Sequence, residues 1–428
     1  MKNVNILFSA TNIHSDHGYK EVEKNLLEAQ LRIQNWTTQE LLQLIDLWAS
    51  HFINPSFARK VPNTGLPFLG LWARKKHLSG ALDLALRGNA KCLDNLYQLS
   101  PKVKYQLFAK PKGLISHWMS GNVPTLPFLS LIQAMLTKNA SIIRLSQNDQ
   151  SCLPELLKLL SSINTDNKSG KELAETCMVV TFPHDNKQAF TQISKISDLR
   201  VIWGSKKVVD TIRKIETKEE TEDVIFGPKQ SAALIANYDI KGKAGKNSAK
   251  LLANDIMIYG QRACASPHTV FIETSEKEEK KEFIFYLQNA LNDYLNLHSK
   301  QFELNQKTIY DITSLRTEYD MFHEAYYDDN MNWTILVDDE ITFGPIIGSN
   351  TIFLRSCPDL NLIIPKIPND LQTIGVSSTV KKKTNLIDQL INSKIYRISD
   401  IGSMTLFESP WNGRFLFEKC VNWVTCPC

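Results

Sequence analysis

From Gly113 onward the chain alternates short apolar runs with amphipathic stretches, and this alternation constrains the fold more than any other feature. Gly113-Leu114-Ile115-Ser116-His117-Trp118 reads as a strand and 119–124 as a tight loop. Residues 125–136 place Leu126, Leu129 and Ile132 on one helical face. Lys138-Asn139-Ala140 makes a turn into a second strand, Ser141-Ile142-Ile143-Arg144-Leu145. Strand, helix and strand with short connections require parallel strands joined by a right-handed crossover. The unit repeats, with strands at 178–182, at Arg200-Val201-Ile202-Trp203 and at Ala232-Ala233-Leu234-Ile235, and with a helix opened by Gly204-Ser205. An α/β fold follows.

The regions on either side read differently. The first hundred residues are expected to be helical. Thr37-Thr38-Gln39-Glu40 forms a capping box, with Trp36 and Leu41 as its hydrophobic staple, and Leu41, Leu42, Leu44, Ile45, Leu47 and Trp48 follow the helical period. A second region starts near Ser248. A helix over 249–259 ends at Gly260, which suits a left-handed cap. The loop Gly260-Gln261-Arg262-Ala263-Cys264-Ala265-Ser266-Pro267 follows, then a strand at 269–273 and a helix at 279–298, with shorter strands beyond. The expected division is a helical region over 1–100, a nucleotide-binding domain over 101–235, a catalytic domain over 236–395, and a segment over 396–428 that returns to the core.

Composition narrows the function classes. A net charge of +4 over 428 residues is too weak to argue for a nucleic-acid partner. The charge runs at 214–223, 241–250 and 275–282 mix signs or flank apolar segments, as solvated faces do. No segment approaches the roughly 20 apolar residues needed to span a bilayer. Ile6-Leu7-Phe8 is too short for a signal-peptide core, so a cytoplasmic protein is expected. The eight cysteines lie mostly alone in apolar surroundings, and no metal site is expected. Cys426-Pro427-Cys428 reads as a frayed tail.

Two residues carry a chemical argument. Cys264 lies among small and polar neighbours between a helix end and a strand, and a thiolate exchanges readily with a thioester. Asn122, in Ser120-Gly121-Asn122-Val123-Pro124, offers an amide that donates to an oxyanion without titrating. In an open parallel sheet ligands bind beyond the carboxyl ends of the strands. There the chain has the loops 119–124 and 146–149, and Gly204-Ser205 at a helix start that favours phosphate. Neither G-x-G-x-x-G nor G-x-x-x-x-G-K-[ST] is present.

Taken together these segments resemble the aldehyde dehydrogenase superfamily. Asn122 after the first strand, Arg144-Leu145-Ser146 closing the second, Trp203-Gly204-Ser205 and the 260–267 loop are similar to its cofactor and nucleophile motifs. Within it the chain is similar to the LuxC-like long-chain fatty acyl-CoA reductases over roughly 113–424. The match includes Gly121-Asn122-Val123-Pro124, Asn332-Trp333-Thr334, Leu371-Gln372-Thr373-Ile374-Gly375-Val376, the run from Arg397 to Met404, and Pro410-Trp411-Asn412-Gly413. The resemblance implies an aldehyde dehydrogenase-like fold, a Rossmann-type nucleotide-binding domain plus an α/β catalytic domain. It implies Cys264 as nucleophile and Asn122 as oxyanion donor. Arg144 and Ser146 would serve the cofactor ribose, Gly204 and Ser205 its pyrophosphate, and Glu340 a further cofactor contact. Glu340 is the least regular of these, because Glu340-Ile341-Thr342-Phe343-Gly344-Pro345 has one residue more than the superfamily's E-I-F-G-P.

The implied activity is reduction of a long-chain acyl thioester to the aldehyde by NADPH, with NADH as the alternative. The acyl donor would be acyl-CoA or an acyl carrier protein. An acyl-protein synthetase or acyltransferase would be a companion, and the enzyme a homo-oligomer. Where hydrolytic relatives carry a base in E-L-G-G-K, this chain has Val224-Ile225-Phe226-Gly227-Pro228-Lys229-Gln230-Ser231, without a carboxylate. That favours acyl transfer over an aldehyde dehydrogenase working oxidatively, while the presence of both Cys264 and Asn122 argues against the other rival, a non-catalytic binding subunit. No general acid is identified, and His117 and His184 read as packed histidines.

Overall fold

The computed structural model describes residues 1–428 except 2, 12, 14–16, 62–64, 148 and 299–303. Residue 148, within the expected loop 146–149, therefore lies outside the described residues, as do several of the polar residues after Ile6-Leu7-Phe8. The chain forms two compact units, Met1–Gly227 with Phe407–Cys428, and Pro228–Leu406.

The first unit is built on β1 (Asn5–Ser9), β3 (Leu114–Trp118), β4 (Ala140–Leu145), β5 (Cys177–Thr181), β6 (Leu199–Trp203) and β7 (Glu222–Phe226), with β2 (Tyr105–Pro111) outside that sheet. The sheet order is β1-β5-β4-β3-β6-β7. The five strands from β3 on are parallel, and their order winds outward in both directions from β3, as in a doubly wound nucleotide-binding sheet. Every residue of β3, β4 and β6 is buried, as expected for strands covered on both faces.

Ile6-Leu7-Phe8 is a strand, antiparallel to β5, so the first hundred residues are not wholly helical. The run stands outside the strand–helix alternation that marks the other strands of this sheet, so alone it is legible only as apolar. The helix Tyr19–Ile33 buries Val22 and Leu26 in the same core as Leu114, Ile142 and Met178. The N-terminal region is thus a layer of the nucleotide-type unit. The capping box forms as expected at the helix Thr38–Ser50, with Thr37 accepting from the Glu40 amide and Glu40 from the Thr37 amide.

The second unit contains β8 (Gln230–Ile235), β9 (Pro267–Glu273), β10 (Glu324–Tyr327), β11 (Thr334–Asp338), β12 (Thr351–Cys357), β13 (Leu371–Val376) and β14 (Arg397–Asp400), ordered β10-β11-β12-β9-β8-β13-β14. All are parallel except the edge strand β10. Because β8 pairs with β9 and β13, the units divide before it, not after residue 235. One face is covered by the helices Gly242–Met257 and Lys277–Leu297, which share a core with Val270, Ile272, Ile335 and Leu354. The first of these starts earlier than 249 because Gly245 and Ser248 are already buried. The helix Gln306–Phe322 was not anticipated. It buries only Ile312, Arg316 and Tyr319, too sparse an apolar pattern to read.

The C-terminal residues return to the first unit as β15 (Val421–Pro427), antiparallel to β2 along its whole length. Cys426 sits opposite Gln106, so the expected frayed tail is an ordered strand. Long-range pairing with a partner more than 300 residues away leaves no local signal. Among the described residues no helix is long and apolar enough to cross a membrane, and no group of three or more His, Cys, Asp or Glu could hold a metal ion.

Candidate active site

The loop before β9 is shaped by left-handed backbone. Tyr259, Gly260 and Gln261 have φ of 57°, 59° and 60° in succession. Only Gly260 adopts this without steric cost, and a non-glycine residue there costs about 1–2 kcal/mol. Gln261 offsets that cost with its side chain. Its Nε2 donates to the Pro267 and Thr351 carbonyls at 2.8 and 3.0 Å, and its Oε1 accepts from the Thr351 amide at 2.9 Å. The loop is thereby tied to the start of β12.

Ser231, at the start of β8, donates its hydroxyl to the Cys264 carbonyl at 2.7 Å. Cys264 is partly exposed, and it lies at the amino edge of three adjacent parallel strands, β9, β8 and β13. Burial pushes its thiol up to about 11. The opposing influences are hydrogen bonds from its own amide and the Gln372 side chain, the positive charge of Arg397, and a hydrogen bond from the Ala265 amide. Two successive main-chain N–H groups facing one sulfur are what an anion at that position requires. Arg397 donates to the Ser403 and Met404 carbonyls, while Asp255 accepts from the Gly402 and Met404 amides. Together they clamp the segment 402–404. A side chain at Gly375 would meet the Met404 sulfur at 2.3 Å, so this clamp closes onto β13 only over a glycine.

Buried polar atoms without partners cluster at this edge. They include Ser266 Oγ, His268 Nδ1, Thr351 Oγ1, Thr373 Oγ1 and both amide atoms of Gln372. Burying such a group unpaired costs about 1–3 kcal/mol, so a cluster of them marks a place where folding has not used the polar groups it holds. Burial also pushes His268 down to about 4, leaving it neutral. Neither His268 nor Gln372 was singled out from sequence for a chemical role. Their signal is a defect in strand pairing, which composition and periodicity do not carry.

The first unit holds the other candidates. Asn122 follows β3, and the Ser120 hydroxyl donates to its Oδ1. Gly121 has a φ of +75°, and a Cβ there would lie 2.0 Å from Ser146 Oγ, so glycine lets this loop close on the end of β4. Arg144 is buried. Its guanidinium lies over the Phe182 and Phe190 rings at 5.3 and 5.6 Å, and it donates to the Phe182 carbonyl at 3.3 Å. Burial lowers its pKa and raises that of Asp149, its opposing charge. Arg144 Nε, Asp149 Oδ2 and Thr181 Oγ1 are left without partners at the carboxyl ends of β4 and β5.

Gly204 donates to the Phe226 carbonyl at 3.3 Å, and Ser205 caps the helix Lys206–Arg213 without using its hydroxyl. Lys187, Lys206, Lys207 and Lys214 line an open groove beside it, with Asp210 and Thr211. These residues fit a polyanionic ligand with hydroxyl groups: a helix start and orphaned polar atoms share one sheet edge, and the cationic groove runs along that helix. His117 does not belong to that set. It is buried, pushed down to about 3 by burial, and bonded on both ring nitrogens to Ser130 and Ser141.

Glu340 is placed apart from Cys264. It follows the carboxyl end of β11, the edge of the second sheet opposite the nucleophile loop, and is exposed. Its carboxylate lies 3.6 Å from Arg355, which also pairs with the buried Asp338 at 3.1 Å. Its amide donates to that same Asp338.

A doubly wound sheet in one unit and a cysteine loop before a parallel strand in the other define an aldehyde dehydrogenase-like protein. Solved structures agree on the fold. Aldehyde dehydrogenase 21 from Physcomitrella patens, at 10% identity, matches 99% of this chain and 98% of its own with a TM-score of 0.71. An acetylating aldehyde dehydrogenase from Geobacillus thermoglucosidasius, also at 10% identity, matches 96% of both chains with a TM-score of 0.65. More specifically, the chain belongs to the acyl-CoA reductase (LuxC) family, whose profile matches residues 35–423. That match begins well before residue 113, inside the N-terminal region.

Similar curated proteins are the long-chain acyl-protein thioester reductases of Aliivibrio fischeri and Photorhabdus laumondii. Each is 27% identical, over 70% and 64% of this chain respectively. The matched regions span 60% and 55% of those relatives' own lengths.

Proposed function

We propose that this chain reduces a long-chain acyl thioester to the aldehyde through a covalent acyl-Cys264 intermediate. The observation that carries the reading is the Cys264 sulfur held against the Cys264 and Ala265 amides, with no carboxylate in the stretch 224–231 to activate water. The Cys264 thiolate attacks the acyl carbon, and the carbonyl π electrons move to oxygen. The Cys264 amide and the Asn122 side chain donate to that oxyanion; Asn122 takes this part from the family resemblance. Collapse expels the carrier as a thiolate, which takes a proton and departs as the thiol. A nicotinamide held by the first unit would supply the hydride that reduces the acyl carbon. The same donors hold the second oxyanion until the C–S bond breaks, releasing the aldehyde and regenerating the Cys264 thiolate.

NADPH is the cofactor the family resemblance implies, with NADH as the alternative, and the lysine-lined groove beside Ser205 supplies positive charge near the pyrophosphate site. Arg144 and Ser146 would serve the ribose end, and Gly204 and Ser205 the pyrophosphate. The names of the relatives point to an acyl group carried on a protein, with coenzyme A as the small-molecule equivalent. Such a donor would be charged by an acyl-protein synthetase or acyltransferase.

Purified protein incubated with radiolabelled long-chain acyl-CoA or acyl carrier protein tests this. Label retained on wild type, lost in Cys264→Ala and chased into aldehyde by NADPH more efficiently than by NADH is the expected result. Release as free fatty acid would instead indicate an enzyme with hydrolytic chemistry, and absence of label would refute the proposal.

A further inference from the structure

Two β-bulges flank Ser231. In the pairing of β13 with β8, Leu371 faces Gln230 and Thr373 faces Ser231, leaving Gln372 without a partner. In the pairing of β8 with β9, Ser231 faces Pro267 and Ala232 faces Thr269, leaving His268 unmatched. Bulges occur beside active sites because the extra residue re-aims its side chain. Between the two bulges, the Ser231 hydroxyl holds the Cys264 carbonyl.

The bulged Gln372 is fully buried in a strand otherwise formed largely of apolar residues, and its backbone is fixed by a bond from the Tyr396 amide to its carbonyl. Its side chain lies against the Cys264 sulfur and favours the ionised thiol. Neither amide atom makes an ordinary hydrogen bond. These two facts agree if the sulfur is the intended partner, since a neutral thiol is a weak acceptor and a thiolate a strong one. Gln261, in the same loop region, is the internal contrast, because its amide is fully used in holding the backbone.

We propose that Gln372 is a catalytic residue, whose amide N–H donates to the Cys264 sulfur and stabilises the thiolate both as it attacks the thioester and as it leaves the aldehyde carbon. This rests on the reading of Cys264 as the nucleophile. A neutral amide suits the part. A carboxylate there would oppose the thiolate, and a fixed cation would hold the sulfur permanently ionised and open to oxidation.

The test follows iodoacetamide alkylation of Cys264 against pH, acylation by a long-chain acyl-CoA, and thermal melting, for wild type, Gln372→Leu and Gln372→Glu. Leucine removes an amide that packing does not use, so Gln372→Leu should melt no lower than wild type. Its alkylation profile should move to higher pH, with acylation at pH 7 slowed about 10-fold for each unit moved. Gln372→Glu should move the profile further in the same direction. A Gln372→Leu protein that keeps the wild-type profile, or one that fails to fold because the amide is structural, overturns the proposal. Wild-type Cys264 that alkylates with the expected dependence on Gln372 yet accepts no acyl group would instead overturn the nucleophile reading.

Discussion

The carboxyl edge of the first sheet and the amino edge of the second are both places where buried polar atoms lack partners, but the atoms differ in kind. At the first edge they belong to a charged pair, Arg144 and Asp149, with Thr181. A lysine groove and a helix start occupy the same unit. At the second edge they are neutral: an amide, an imidazole held uncharged by burial, and hydroxyls, at the edge that carries the Cys264 loop. A buried arginine and a lysine-lined groove suit a phosphate-bearing ligand. Neutral donors suit a reaction in which charge appears on sulfur and oxygen and then disappears. Each edge is also sculpted differently, the first by glycine at 121 against Ser146, the second by strand bulges at Gln372 and His268.

The largest effect should come from Asn122→Ala. Removal of one oxyanion donor typically costs about 10²–10³ in rate. Acylation measured by rapid quench should fall by that factor while the alkylation profile of Cys264 stays in place. A shifted profile with unchanged acylation would mean that Asn122 acts on the thiol and not on the oxyanion. That result would give Asn122 the part assigned to Gln372.

Asp255 provides a smaller and different test, because it supports the second unit without touching the sulfur. Burial pushes its carboxyl up to about 7 from an ordinary 3.8, even though the amides of Gly402 and Met404 favour the anion. The folded chain therefore binds this proton more tightly than the unfolded chain. The stability it contributes is fully present below about pH 4 and is lost as pH rises toward 7, on the order of 4 kcal/mol across that span. Asp255→Asn should gain stability relative to wild type between pH 4 and pH 7 in urea denaturation. A difference between the two proteins that does not change with pH would show that the carboxyl is ionised throughout.

The parts of the fold legible from sequence were those with local, periodic signals. The parallel strands from β3 to β6, the capping box at Thr37 and the left-handed residue at Gly260 each rest on neighbours in the chain. Strand β1, the helix Gln306–Phe322 and strand β15 escape such a reading, because an apolar run outside the strand–helix alternation, a sparsely buried helix and a pairing across the whole chain leave no local pattern. The same limit applies to the site. Cys264 and Asn122 stand in recognisable loops, whereas Gln372 acquires its place only from a register shift between β8 and β13. Glu340, whose cofactor role comes from the resemblance alone, lies at the other edge of that sheet beside Arg355.

The most direct test of the account is to locate the acyl group. Wild-type protein should be incubated with a long-chain acyl-CoA without nicotinamide, digested with trypsin at mildly acidic pH, and mapped by mass spectrometry. The peptide 263–277, in which Cys264 is the sole cysteine, should carry the mass of the acyl group as a thioester. An adduct on any of the other seven cysteines with this peptide unmodified, or no adduct at all, would contradict the account.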